Sequence, residues 1–159
     1  MEIHVYDRNL KRLGHIENHT SLQWHRKYYE CGTFELHCPV TAENLRLLKP
    51  GNIITKGDKK EAAVIRGDQT EEESTLVNEI TRNGYFLPVY LGDRLTGPLF
   101  NFNGTVEDAM HFMLNRMEKI PLLQIGADTG DKTKVQFQAT YKNVLEYHTK
   151  LARFAEIGF

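Results

Sequence analysis

The sequence predicts an α+β protein, in which a small curved β-sheet or β-barrel-like unit of about seven strands is followed by a helix-strand-helix segment. Two observations favour this class. In the first half, apolar residues alternate with polar ones over several short runs, which is typical of half-buried strands. In the second half, apolar residues recur at helical spacing after Thr105 and again after Lys142.

The chain opens with a predicted β-hairpin. Ile3 and Val5 alternate with polar neighbours, which indicates a strand over residues 2–6. Asp7-Arg8-Asn9 has the composition of a tight turn, and residues 12–16 are expected to return as the partner strand.

The stretch from Ser21 to Lys56 is the most regular part of the sequence. Alternation at residues 22–28 and again at 34–38 predicts two strands, separated by Cys31-Gly32, where glycine suits a bulge or a positive φ. Pro39 lacks the N–H that a further ladder bond needs, so it ends the second strand. Thr41 is a predicted N-cap for a short helix, which is followed by a strand over residues 52–56.

The next segment is predicted to complete the sheet. Residues 62–65 are apolar enough for a buried strand, and 67–73 have the composition of a solvated acidic loop that ends in Glu71-Glu72-Glu73. Residues 74–82 alternate loosely and are expected to pair back across that loop, with Asn83-Gly84 as the closing turn. The apolar run after it contains Pro88, which is tolerated in the first turn of a helix.

The second half is predicted to contain two helices and one strand. Thr105 is the expected N-cap of a helix with an apolar stripe that includes Met110, Met113 and Met117. Core packing is the default for such a stripe, and an adaptable protein-binding face is the alternative. A flexible polar loop (126–131), a strand (134–140) and a last helix (142–155) follow, and Gly158 is the expected left-handed cap.

Composition limits the classes of function. At 159 residues, with 26% charged residues and a net charge of −1, the chain fits a single globular domain, or somewhat more, without long-range attraction to nucleic acid or anionic membranes. There is neither an apolar window long enough to span a membrane nor a basic-then-apolar signal peptide. We therefore expect synthesis in a cytoplasm, which is a reducing compartment where Cys31 and Cys38 remain free packing residues.

We tested the sequence for catalytic and metal-binding motifs. His37 and Cys38 are neighbours in a strand and point to opposite faces, so they cannot bind one metal ion together. No signature of a nucleophile flanks Cys31, no Walker or dinucleotide motif is present, and Arg26-Lys27 with its adjacent tyrosines is a weak nucleic-acid pattern. We predict no enzyme activity, no catalytic residues, no cofactor and no metal site.

Three ordered motifs identify a family resemblance. The patterns S-L-x-W-x-R-x-Y-x-x-x-G-x-F-E-L-x-x-P, T-x-E-N-L and L-K-P-G-N-I-I-x-K-G-D occur in sequence from Ser21 to Asp58. Together with residues 1–7, 84–94 and 101–109, they resemble the N-terminal region of siphophage and prophage tail-hub proteins, also called tail-associated or minor structural proteins. The resemblance weakens after about residue 120.

The resemblance implies a structural role in the virion tail, after synthesis in the bacterial host cytoplasm. Tail-hub proteins form a ring, typically a trimer, that joins distal tail and tail-tube proteins to a fibre or spike, and they supply no catalytic residues in this region. Members of the family continue well beyond the equivalent of Phe159, so the chain is expected to be an N-terminal fragment or a short relative. We expect a β-rich domain at 1–98 and an incomplete α/β segment at 99–159.

Apolar residues in a predicted loop are the candidate interface. Leu99, Phe100 and Phe102 lie in a segment, 92–103, that is expected to be an exposed loop, so we predict that they contact a neighbouring subunit. Serine at Phe100 and Phe102 is expected to weaken assembly and leave the fold intact.

Two other functions remain as alternatives. A fragment of a cell-wall-degrading tail lysin requires two facing carboxylates in a cleft. A carbohydrate-binding module requires a coplanar row of exposed aromatic rings, for which Tyr28, Tyr29 and Tyr90 are the candidates.

Overall fold

The computed structural model describes residues 2–57, 59–71 and 79–159. Its elements in chain order are β1 (Ile3–Tyr6), β2 (Arg12–Ile16), β3 (Ser21–His25), β4 (Thr33–Pro39), α1 (Ala42–Leu47), β5 (Ile53–Lys56), β6 (Ala62–Glu71), β7 (Glu79–Phe86), a 3₁₀ helix (Leu87–Asp93), β8 (Phe100–Thr105), α2 (Val106–Arg116), β9 (Lys134–Ala139) and α3 (Val144–Ala155). The predicted α+β class is confirmed.

The first seven strands form one antiparallel sheet. The strand order is β2-β1-β5-β6-β7-β4-β3, so β2 and β3 are its two edges. Of the two predicted forms, the described strands therefore form the open sheet and not a closed barrel. The predicted first hairpin is present, and the Asp7 carboxylate stabilises its turn by accepting hydrogen bonds from the Asn9 and Lys11 amides at 2.8 and 2.9 Å.

Helix α1 packs its C-terminal end over the buried face of the sheet. Thr41 is its N-cap, as predicted, and accepts from the Asn44 amide at 3.0 Å. At the other end, the buried Arg82 guanidinium donates from Nε to the Leu48 carbonyl at 2.8 Å. A cation at this position complements the negative end of the helix dipole and satisfies a carbonyl that has no partner inside the helix.

Two expectations about the β6–β7 region need correction. Residues 67–71 continue strand β6 and are not part of a loop, while Glu72, Glu73 and residues 74–78 lie outside the described residues. Asn83-Gly84 lies inside β7 and does not form a turn. A Cβ on Gly84 would collide with the Val64 carbonyl and lie 2.7 Å from the Phe34 ring, so close approach of the backbone explains this glycine.

The chain divides into two compact units. The first contains residues 1–27 and 31–87, and the second contains Tyr28–Glu30 and Pro88–Phe159. This division falls between Leu87 and Pro88, whereas the sequence suggested a boundary after residue 98. Whether the two units are independent domains remains a prediction.

In the second unit, a two-stranded antiparallel sheet packs against α2 and α3. Strand β8, which was not predicted, pairs with β9 from Phe100↔Ala139 to Thr105↔Lys134. The predicted N-cap Thr105 accepts from the Asp108 amide at 3.1 Å, and the stripe of Met110, Met113 and Met117 is buried, which confirms core packing.

The end of α3 differs from the expectation. The left-handed C-cap is Glu156, at φ 58°, and not Gly158. Glycine is the usual residue at such a cap because it has no Cβ, so the capping signal pointed to the wrong position.

Candidate interaction surface

The three residues that were predicted to form an interface differ in their exposure to solvent. Leu99 precedes β8 and is 60% exposed, whereas Phe100 opens the strand and is only 8% exposed. Phe102, two residues further on the same face, is half-buried. The predicted exposed loop therefore ends before Phe100, and the expectation that Phe100 is exposed is wrong.

Phe100 and Phe102 belong to an aromatic cluster between the β8–β9 sheet and the helices. Both rings contact Phe112 of α2, with centroids 5.1 and 5.4 Å away, and Phe137 of β9, at 5.9 and 5.7 Å. Phe137 in turn contacts Tyr147 of α3 at 5.6 Å. Aromatic pairs at these separations stabilise a core beyond the area they bury, so the cluster holds the second unit together.

Arg116 connects this cluster to the segment that carries Leu99. Its guanidinium carbon lies 5.1 Å from the centroid of the Phe100 ring, within the range of a cation–π contact. The same side chain donates to the Pro98 carbonyl at 3.3 Å. The backbone just before Leu99 is therefore fixed to α2 while the Leu99 side chain remains exposed.

Leu95, Leu99 and Tyr141 are three exposed apolar residues that we call the apolar rim. Each of these side chains is more than half exposed. They lie on two paired segments, because Leu95 forms a β-bridge with Asn143, and the Tyr141 amide donates to the Gly97 carbonyl at 2.7 Å. Exposed apolar side chains grouped in this way are a common feature of protein–protein contact sites.

Backbone hydrogen bonds join the two segments that carry the apolar rim. Thr96 is fully buried, its amide donates to the Lys142 carbonyl at 2.8 Å, and its hydroxyl accepts from the Lys142 amide at 3.1 Å. Tyr141 adopts φ 45°, in the left-handed region that a bulky residue rarely occupies. Such a conformation persists only where the surrounding bonds enforce it, and it is found more often at functional positions than elsewhere.

Glu107 holds the loop that was predicted to be flexible. This side chain, near the start of α2, is 9% exposed and accepts hydrogen bonds from the Thr129 hydroxyl at 2.6 Å and the Thr129 amide at 2.8 Å. It also accepts from the Gly130 and Asp131 amides, both at 3.1 Å. These hydrogen bonds lower the pKa of the Glu107 carboxyl from its ordinary value, and the bond from the Thr129 hydroxyl has the largest effect. No local pattern in the sequence indicated this partner.

Comparison with known proteins identifies the family of this chain. The family model described as Siphovirus ReqiPepy6 Gp37-like protein matches residues 2–159. The chain belongs to the Siphovirus ReqiPepy6 Gp37-like protein family. No curated protein matches it.

A solved structure has the same fold. The prophage tail protein gp18 from Listeria monocytogenes EGD-e superposes with a TM-score of 0.69 at 13% sequence identity. The alignment covers 96% of this chain and 45% of the Listeria chain, so the chain spans less than half the length of that protein. With the family match, this confirms the prediction of a phage tail protein.

Two of the three aromatic residues suggested for carbohydrate binding in this Gp37-like chain, Tyr28 and Tyr29, do not form a flat platform. The Tyr28 and Tyr29 rings lie 4.9 Å apart but are inclined at 79°, so they meet edge to face. Sugar-stacking surfaces present ring faces in one plane, and this pair does not.

Helices that could cross a membrane are not found among the described residues.

Cys31, His37 and Cys38, which were considered for catalysis or metal binding, lie in structural environments. The Cys31 thiol donates to the Phe86 carbonyl at 3.1 Å, and burial raises the pKa of the Cys38 thiol to about 11. His37 lies between two carboxylates, with Nε2 2.8 Å from Glu35 and Nδ1 3.4 Å from Glu79, and the hydrogen bond to Glu35 is the main reason that its pKa is raised. The raised pKa makes Cys38 a poor nucleophile.

The Gp37-like chain contains a buried histidine, and the sequence did not indicate that its pKa is shifted. His148 of α3 is 3% exposed, and its Nδ1–H donates to the Val144 carbonyl at 2.9 Å. Burial lowers the pKa of His148 to about 4, because the charged imidazolium would lose its hydration.

Proposed function

We propose that this chain is a subunit of the phage tail tip, a hub or baseplate component that joins the tail tube to a distal fibre or spike. The observation that carries this proposal is the match of the siphovirus family model to nearly the whole chain, residues 2–159. The prophage tail protein with the same fold supports a location in the virion tail.

We further propose that the subunit assembles into a ring, a trimer in the intact protein, through the apolar rim. A cyclic ring needs heterologous contacts, in which two different patches meet at each joint. Leu95, Leu99 and Tyr141 supply one patch, while Leu122 and its exposed apolar neighbours Leu123 and Ile125, after α2, are candidates for the other. Phe100 is buried in the aromatic cluster and is not part of this surface, and the half-buried Phe102 ring adds little to it.

The experiment is the solution mass of the protein by light scattering over a wide concentration range. We expect the mass of the parent to rise toward that of a trimer with concentration. The double variant Leu99→Ser, Tyr141→Ser is expected to remain a monomer with an unchanged circular dichroism spectrum. Leu45→Ser, which removes an exposed leucine from α1 in the other unit, is the matched control and should assemble like the parent.

Two results would contradict the role of the apolar rim. One is a parent that stays monomeric at the highest concentration, and the other is a double variant that assembles like the parent. A standard interface buries roughly 800 Å² per partner, so the loss of two large side chains from it should be easily detected.

A further inference from the structure

Four potential metal ligands meet on one face of the first hairpin. In the β1–β2 register, His4 lies directly opposite His15. Because side chains alternate between faces of a strand, Glu2 shares the face of His4, and Glu17, just after β2, shares the face of His15. The hairpin thus gathers two imidazoles and two carboxylates at the exposed end of the edge-strand pair.

Three of these side chains lie close to one another. Glu2, His15 and Glu17 each have one donor atom within 4.8 Å of the other two, and no second group of this kind was found among the described residues. His15 Nε2 is 3.1 Å from a Glu17 carboxylate oxygen. Donors bound to one tetrahedral Zn²⁺ at ~2.0–2.2 Å lie about 3.3–3.6 Å apart, so side-chain rotations that move each atom by less than ~1 Å would complete the site.

We propose that Glu2, His15 and Glu17 bind a divalent transition-metal ion of the Zn²⁺ class. Imidazole nitrogen with carboxylate oxygen is a ligand set that zinc accepts, whereas Ca²⁺ and Mg²⁺ prefer oxygen alone. The ion would join the start of β1 to the end of edge strand β2. All three ligands are exposed, so at least one coordination position would stay open to water or to a ligand from another tail component.

Arg12 opposes binding and keeps His4 out of the site. Its guanidinium lies 3.5 Å from a Glu2 oxygen, and it donates to His4 Nδ1 at 3.0 Å. A cation at this distance repels a divalent ion and occupies the lone pair that His4 would offer. Replacement of Arg12 by glutamine removes this charge and frees His4 to act as a fourth ligand, so the variant should bind the ion more tightly.

The test is calorimetric titration of tag-free protein with ZnCl₂ near neutral pH, with CaCl₂ and MgCl₂ as comparison salts. We expect one zinc site per chain. Affinity should fall at least tenfold in His15→Gln and in Glu17→Gln and rise several-fold in Arg12→Gln. His25→Gln is the matched control, since His25 is an exposed histidine on the other edge strand that contacts Gln23, and it should bind like the parent.

Nuclear magnetic resonance of the histidine side chains provides a second measurement that does not depend on binding heat. Zinc should shift the His15 ring signals and leave those of His25 in place. The proposal is overturned if zinc produces no saturable heat up to millimolar concentration, if His15→Gln binds as tightly as the parent, or if Ca²⁺ and Mg²⁺ bind equally well.

Discussion

Leu99 and Phe100 are adjacent in the chain, but the same substitution should change the stability of the protein by very different amounts at the two positions. Phe100 is 8% exposed and contacts two other rings, whereas Leu99 is 60% exposed. Truncation of a buried phenylalanine costs ~3–5 kcal/mol, and serine also leaves a hydroxyl in an apolar site. We therefore expect Phe100→Ser to lower the free energy of unfolding by about 4 kcal/mol, and Leu99→Ser to change it by less than ~0.5 kcal/mol.

The assay is urea unfolding followed by two signals. Helices α2 and α3 of the second unit dominate the helical far-UV circular dichroism, while the single tryptophan, Trp24, reports on the first unit. With a slope near 2 kcal/mol per molar urea, Phe100→Ser should move the circular dichroism midpoint down by about 2 M. The reasoning fails if Phe100→Ser unfolds within 1 kcal/mol of the parent, or if Leu99→Ser costs as much as Phe100→Ser.

Three further predictions concern ionisable side chains that are buried or hydrogen-bonded. Arg82→Met should destabilise the protein by about 2–4 kcal/mol in urea unfolding, because the Leu48 carbonyl loses a charged donor; a cost below 0.5 kcal/mol would show that the bond is dispensable. Glu107→Gln should be less stable than the parent at pH 7, and the difference should vanish as pH falls through the lowered pKa of the Glu107 carboxyl, where the parent is also neutral; a pH-independent difference would contradict the charged bonds to Thr129. Since the pKa of His148 is lowered from 6.5 to about 4, the unfolded chain takes up a proton that the folded chain does not, and stability is lost as pH falls between these values. The parent should lose about 3 kcal/mol more than His148→Gln between pH 7 and pH 4, and parallel pH profiles of unfolding would refute this.

Local signals predicted the elements that depend on local chemistry. Thr41 and Thr105 cap their helices because a hydroxyl that accepts from an amide three residues later needs no distant partner. The Asp7 turn and the methionine stripe of α2 were predictable for the same reason. The resemblance to tail proteins rested on the motifs between Ser21 and Asp58 and on residues 1–7, 84–94 and 101–109, which include Asp7, Thr41 and Thr105.

The features that the sequence did not predict depend on contacts between residues that are far apart in the chain. The alternation Phe100-Asn101-Phe102-Asn103 has the period of a strand, yet residues 92–103 were predicted to form a loop. The predicted strand at 134–140 lacked a partner, and this requirement could have identified β8. Asn-Gly usually marks a hairpin turn, but Gly84 stays in β7 because the Val64 backbone leaves no room for a side chain.

The bonds made by Arg82 and Glu107 join residues 34 and 22–24 positions apart. Neither spacing corresponds to a turn of helix or a strand pair, so no periodicity reveals them. A charge that becomes buried in the fold has the same sequence signature as a charge on the surface.

The most direct test of the proposed function is the position of this chain in the virion. Immunogold electron microscopy would use antibodies against residues 1–159 on purified tailed particles of the phage or prophage that encodes it. A tail-tip hub predicts gold at the distal end of the tail and nowhere else. Gold along the tube or on the capsid, or particles that carry no label although the antibody binds the denatured protein from them, would contradict the hub assignment.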